Sequence, residues 1–502
     1  MQKRFSLEII VFISGAVVMI TEIVGSRILA PYIGTTIFVW TSLIGIILGC
    51  LSLGYWYGGR LADRKPNYKT FSGILFGAGF FIAFIVLIKD PVLGFVQESF
   101  KDIRISAVIA TLLLFAAPSF FLGMVSPYAV KLKIKKLDTS GRTVGNLYAI
   151  STIGSIAGTF LAGFFMIAYF GSTKILLILS LSMVIVSIVA FRKGMKTHNI
   201  AAVFLVLFVV TGLGLSDNPV KKDGTVEMDS KYNHIKIMDK QVRIKVDGVY
   251  GEPKKVKVMQ VNSSLSSIMS LEDDDLVEMY TRYYRLAEHF KPEIKSSLML
   301  GGGACSYPKD FLKNFSSASM DVVEIDPKLT EMAYKHFRVK QDPRLNFYHE
   351  DARTFLNKNQ KKYDVIFVDV FNTGSNFSIP FQLTTREAIT RMYESLGGDG
   401  LVLMNVISAI EGEKGKFLRA EHATFASVFS QVYLFTVDSL DGSEVQNIMI
   451  AALKTTVKPV FQSRFYELSR YLKRLWDKEV RHDMPVLKDD FAPVEQLMKE
   501  LV

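Results

Sequence analysis

Cysteine is nearly absent: the 502 residues hold two, Cys50 within an apolar run and Cys305 in a glycine-rich turn. They are far apart in the chain and neither has a partner at metal-ligand spacing, which excludes a disulfide framework and a zinc site. The start of the chain lacks an evident small-residue cleavage site. Lys3, Arg4 and the apolar stretch from Leu7 therefore read as a first membrane helix rather than a signal peptide. No basic cluster suited to nucleic acid stands out either. The net charge is +11 and the isoelectric point near 9.2, but the basic residues of the first half sit in short loops between apolar runs. Membrane topology explains that placement, and no nucleic-acid partner is expected.

What is abundant is apolar. With 49% hydrophobic residues and a mean hydropathy of +0.26, the chain is too apolar to be wholly soluble and too long for one ordinary domain. Crossing about 30 Å of hydrocarbon takes about 20 helical residues. Suitable stretches run over residues 7–29, 38–57, 71–88, 105–130, 144–170 and 174–191, with a shorter seventh at 200–215. Arg60, Arg64, Lys65 and Lys69 follow the second stretch, and Lys131, Lys133, Lys135, Lys136 and Arg142 the fourth. Arg192, Lys193 and Lys196 follow the sixth. The positive-inside rule puts these loops and the N-terminus in the cytoplasm. Seven crossings carry the C-terminal half outside, whereas a re-entrant or interfacial 200–215 leaves it inside; both remain open.

Glu22 and Arg27 lie in the first stretch, where an unpaired charge costs roughly 2.5–3.5 kcal/mol. They are expected to pair, or to line a polar cavity. Gly154, Gly158 and Gly163 mark close helix packing. The run Gly58-Gly59-Arg60-Leu61-Ala62-Asp63-Arg64 resembles the cytoplasmic loop between the second and third helices of major facilitator transporters.

The pattern then changes. Residues 1–216 form the expected transmembrane domain, 221–290 a small β-rich domain with a linking helix, and 291–502 a Rossmann-like α/β domain. Alternation over 232–238 and 242–246, a turn signal at Asp247-Gly248 and a further run at 255–261 predict strands. Residues 278–290 predict one helix, with Tyr280, Tyr283, Tyr284 and Leu286 available for packing or for ligand contact. From Ser296 strands alternate with helices, the signature of a parallel sheet with crossover helices.

The first of these strands runs into Gly301-Gly302-Gly303, a turn that lets a ligand approach backbone at the carboxyl end of a strand. The second ends in Glu324, 21 residues beyond Gly303, the spacing that brings a carboxylate to ribose hydroxyls. Asp351, after the third, either accepts from an adenine amino group or caps the helix that follows. Asp369 ends the fourth strand, 363–368, where it can act as a base or a cation anchor. Each sign is weak alone; their order is that of a nucleoside-binding domain.

Leu298-Met299-Leu300-Gly301-Gly302-Gly303, Val322-Val323-Glu324-Ile325-Asp326-Pro327 and the 363–369 run resemble successive motifs of the spermidine synthases. These are aminopropyltransferases with a class I methyltransferase-like fold. Thr21-Glu22-Ile23-Val24-Gly25-Ser26-Arg27, Ala30-Pro31-Tyr32 and residues 378–387 are similar to the membrane-fused branch of that family. The resemblance implies transfer of an aminopropyl group from decarboxylated S-adenosylmethionine, a co-substrate rather than a permanently bound cofactor, to an amine such as putrescine. It implies that Glu324 binds the donor's ribose, Asp351 with Ala352 its adenine side, and that Asp369 accepts the amine's proton. Asn233, Tyr280 and Asn372 fall to the acceptor side, and no metal is implied. The expected partners are the adenosyl donor, the amine and the lipid bilayer of a cell membrane, with a homodimer or homotetramer by analogy.

Two departures stand out. The family places a second aspartate three residues after the first, where this chain has Asn372, and its tyrosine-histidine-glutamate stretch is matched to Tyr280-Thr281-Arg282. Two other functions stay open: a methyltransferase using intact S-adenosylmethionine, and a non-catalytic transporter or sensor that binds polyamines or nucleosides.

Overall fold

The computed structural model describes residues 5–34, 36–100, 102–134, 137–190, 224–246, 249–262, 264–371 and 380–501. The short apolar stretch 200–215, the Asp247-Gly248 turn and Asn372 lie outside them. The chain divides into two compact units, one of Met1–Lys221 with Glu227–His234, the other of Lys222–Val226 with Ile235–Val502.

The first unit is helical: α1 (Phe5–Ile33), α2 (Ile37–Arg64), α3 (Tyr68–Ser99), α4 (Ile103–Lys133), α5 (Ser140–Phe160) and α6 (Ser172–Ala190). Between α5 and α6 lie a π-helical turn, Leu161–Met166, and the short turn Ile167–Tyr169. Six helical spans among the described residues are long and apolar enough to cross a membrane. Large apolar side chains such as Leu48, Leu53 and Phe164 point outward, as in a surface that meets lipid rather than water. Helix α2 stops at Arg64, just before Lys65 and Pro66, because a proline disfavours helical backbone in the residue ahead of it. Asn67 then caps α3 by accepting from Thr70 N (2.8 Å).

Side chains tie the helices together at each end. At one end Lys133 of α4 pairs with Glu8 of α1, and Lys131 with Asp63 of α2 at 2.6 Å. The Tyr128 hydroxyl donates to Lys65 O there, and Ser72 and Ser187 join the starts and ends of α3 and α6 at 2.9 Å. At the other end the Tyr32 hydroxyl donates to Asp90 (3.1 Å). Arg27 donates to the carbonyls of Ser230 (2.8 Å) and Lys231, and Asp229 accepts from Ser172 N (3.1 Å). Arg27, expected to pair with Glu22 or line a cavity, thus finds acceptors outside its own helix. Five helical positions separate the two residues, which turns them about 140° apart.

Helices α1 and α5 meet backbone to backbone. A Cβ at Gly154 would lie 2.1 Å from Phe12 O, and one at Gly158 2.5 Å from Ala16 O. Gly163, expected to mark the same packing, faces open space in the π turn. Gly154→Val is therefore expected to lower the thermal midpoint of the detergent-solubilised chain by several degrees, with Gly163→Ala near neutral. Equal losses in both would show that α1 and α5 do not depend on this contact.

Antiparallel strands come next along the chain. β2 (His234–Val246) pairs with β3 (Val249–Val261), and β3 with β4 (Ser264–Ser270), in a sheet of order β1-β2-β3-β4, β1 being Val226–Asp229. The expected helix over 278–290 is two short ones, α7 (Met279–Tyr283) and α8 (Leu286–Phe290). The break lets Tyr283 and Tyr284 both turn into the core.

A seven-stranded sheet follows in the order β10-β11-β9-β8-β5-β6-β7. Strands β5 (Ser296–Leu300), β6 (Ser319–Val323), β7 (Leu345–Tyr348), β8 (Tyr363–Val368) and β9 (Leu396–Ser408) are parallel. β10 (Gln431–Thr436) and β11 (Gln446–Leu453) close one edge antiparallel. This mixed α/β sheet is methyltransferase-like. β5 lies between β6 and β8, so successive crossovers depart in opposite directions and leave a crevice at its carboxyl end.

Candidate active site

The Gly301-Gly302-Gly303 turn leaves β5 at that crevice. Gly301 (φ +85°) and Gly303 (φ +48°) occupy the left-handed region. A Cβ on Gly301 would sit 2.3 Å from Asp369 O, and one on Gly302 2.7 Å from Val322 Cγ1. Side chains are thus excluded where the turn passes between β6 and β8.

Glu324, at the end of β6, is buried. One carboxylate oxygen accepts from Gly302 N (3.1 Å) and Gly303 N (3.2 Å), the other from Asp326 N (3.1 Å). Burial pushes its pKa up, against the pull of those N–H donors. Asp351 caps the helix α9 (Ala352–Lys358): one oxygen accepts from Thr354 N (2.9 Å) and the other from the Gln382 side chain (3.3 Å). Capping is one of the two roles its position allowed, and Ala352 is the first residue of that helix.

Asp369 follows β8, its own N–H bonded to Leu300 O (2.9 Å). The Tyr280 hydroxyl donates to its carboxylate at 3.2 Å. The Tyr284 hydroxyl lies against the same carboxylate while donating to Val368 O (3.1 Å), and the Asn405 side chain is a further partner. Burial pushes the Asp369 pKa up to about 6, although these hydrogen bonds favour the anion.

Beside this pair stands a residue that the sequence reading passed over. Glu278 hydrogen-bonds to Tyr280, and burial together with the nearby Asp369 charge pushes its carboxyl up to about 8. At neutral pH Asp369 is the anion and Glu278 the neutral acid. Two carboxyls whose surroundings separate their pKa values are the usual basis for dividing base from acid. The site can hold a cation and take one proton.

Arg282, expected near the acceptor amine, instead donates from Nε and Nη2 to Leu276 O (2.9 and 2.7 Å). A search for an acid on either side of Tyr280 would have found Glu278. Asn233 stands in a turn closed by Ser230 within the Glu227–His234 segment of the helical unit. Among the described residues no group of three or more His, Cys, Asp or Glu could hold a metal ion.

Residues 281–467 match the spermine/spermidine synthase domain family. A polyamine aminopropyltransferase of Vibrio vulnificus is 26% identical over 243 residues, 45% of this chain and 77% of that one. A probable polyamine aminopropyl transferase of Bifidobacterium longum is 27% identical over 249 residues, 46% of this chain and 54% of that one. Among solved structures, a probable spermidine synthase from Corynebacterium glutamicum aligns with a TM-score of 0.41 and 21% identity, over 51% of this chain and 88% of the other. The chain carries a spermine/spermidine synthase domain, homologous to the polyamine aminopropyltransferases, behind a set of helices apolar enough to span a membrane.

Proposed function

We propose that the chain is a membrane-held aminopropyltransferase of spermidine-synthase type. It moves the aminopropyl group of decarboxylated S-adenosylmethionine to an amine such as putrescine and releases methylthioadenosine. The observation that carries this reading is the Asp369–Tyr280–Glu278 group at the carboxyl end of β8, beside the glycine turn and Glu324. The helices lie in the cell membrane with the N-terminus and basic loops at the cytoplasmic face.

The amine's lone pair attacks the carbon next to the sulfonium. The new C–N bond forms as the C–S bond breaks, and the bonding electrons stay on sulfur as a neutral thioether. The proton that Asp369 takes is the one the entering ammonium gives up to become the free base, and the product nitrogen is left as a secondary ammonium that carries the charge lost from sulfur. Only the free base can attack, and at neutral pH it is scarce in water, so a carboxylate that orients the amine and takes its proton raises the reactive fraction.

Glu324 receives a ribose hydroxyl through the one lone pair, on Oε1, not used by Gly302, Gly303 and Asp326, since each carboxylate oxygen offers two. Asp351 and Ala352 take the adenine side, and the bare backbone of the turn lets the nucleoside approach. Asn372 cannot supply the second negative charge, but Glu278 can: as a diammonium enters, its field favours ionisation of a carboxyl that is neutral when the site is empty.

In full-length protein in detergent, supplied with the decarboxylated donor and putrescine, Asp369→Asn is expected to cut kcat by roughly 10²–10⁴ while leaving methylthioadenosine binding intact. Unchanged turnover in that variant would end the reading, as would a product formed only from intact S-adenosylmethionine. Glu278→Gln is expected to raise the KM for putrescine roughly ten- to a hundredfold, equivalent to about 1.5–3 kcal/mol for a charged hydrogen bond, with a smaller effect on kcat. A KM within twofold of the parent would remove Glu278 from the acceptor site. The base must be deprotonated, so kcat/KM should fall as pH drops through about 6, the Asp369 value. A pH profile flat from 5 to 8 would contradict its role.

A further inference from the structure

The two ends of the helical unit are chemically distinct. One end carries the basic last turns of α2 and α4, gathered by the Lys133–Glu8 and Lys131–Asp63 pairs. Ser187, three residues before the end of α6, bonds to Ser72 near the start of α3, so α6 finishes at this same basic end. The opposite end carries the close of α1, the Tyr32–Asp90 contact and Ser172 at the start of α6.

Residues 227–234 rest on that opposite end. Arg27 binds the carbonyls of Ser230 and Lys231, and Asp229 binds the first amide of α6. Asp229 in turn meets His234 Nδ1 at 2.7 Å, while Glu227 meets its Nε2 at 3.1 Å. Burial alone would lower the imidazole's pKa, but the two carboxylates raise it to about 9, so the seat holds a charged imidazole at neutral pH. The contacts reach both α1 and α6, helices that run in opposite directions, and both mark the same end.

We infer that the chain leaves the helical unit at the end opposite its basic loops, so the polypeptide after His234 is delivered to the non-cytoplasmic side of the membrane. Arg27, expensive inside a bilayer, is then an anchor at the far end of α1 whose charge is spent on the backbone of the exit segment. The topology stands apart from the chemistry proposed above. Its consequence, that donor and amine are drawn from the non-cytoplasmic compartment, rests on that chemistry.

Single cysteines test the topology in the full-length protein. Tyr466→Cys marks a side chain that is 81% exposed in the second unit, and Arg64→Cys marks an exposed position at the basic end of α2. In intact spheroplasts, after subtraction of the parent signal, a membrane-impermeant maleimide should label Tyr466→Cys as fully as it does after detergent. It should reach Arg64→Cys only once the membrane is opened. Protection of Tyr466→Cys until the membrane is opened would overturn the inference, and so would labelling of both positions in sealed spheroplasts. Decarboxylated donor and putrescine added outside sealed spheroplasts should then yield product without permeabilisation. Failure to do so, with Tyr466→Cys labelled, would count against the transferase chemistry and leave the topology standing.

Discussion

The site depends on one close approach of two backbones. Gly301 leaves β5 with its Cα so near the Asp369 carbonyl that no side chain fits between them. That contact, together with the bonds of Gly301 N to Val323 O and Asp369 N to Leu300 O, each 2.9 Å, holds the ends of β5, β6 and β8 together. Glu324 and Asp369 consequently emerge on opposite sides of a turn that presents only main chain. A larger residue at 301 would push the β8 end away and separate the two acids.

The electrostatics follow from that enclosure. Packed among tyrosines and apolar side chains, Glu278 and Asp369 cannot both ionise at low cost in an empty site. Tyr280, Tyr284 and Asn405 all favour charge on Asp369, which leaves Glu278 as the acid. On the proposed chemistry, this asymmetry stores one negative charge where an amine needs a proton acceptor. A second becomes available when a cation arrives.

The helical unit follows the same packing rules behind an outward face apolar enough to span a membrane, and α1 and α5 approach through glycines because small residues let backbones meet closely. Polar side chains gather at the two ends, where they join neighbouring helices.

Much of this was legible along the chain. Apolar runs announce the helices, because length and hydropathy are local properties; all six full-length stretches are helical. The glycine turn, Glu324, Asp351 and Asp369 could be placed because a βαβ unit repeats with a fixed spacing and puts strand ends on one edge. Glu278 was not legible in this way. It lies 91 positions before Asp369, on the approach to a short helix, and only sheet packing brings them together. Nor could sequence say that Arg282 is spent on Leu276 O, that Gly163 packs against nothing, or that Arg27 reaches past its own helix to Ser230. Sequence by itself determined the two-part architecture and the order of the strand-end acids, since both arise from local periodicity and spacing. Tertiary structure alone decided which carboxyl is charged and what each cation holds, because those depend on burial and on neighbours distant in the chain.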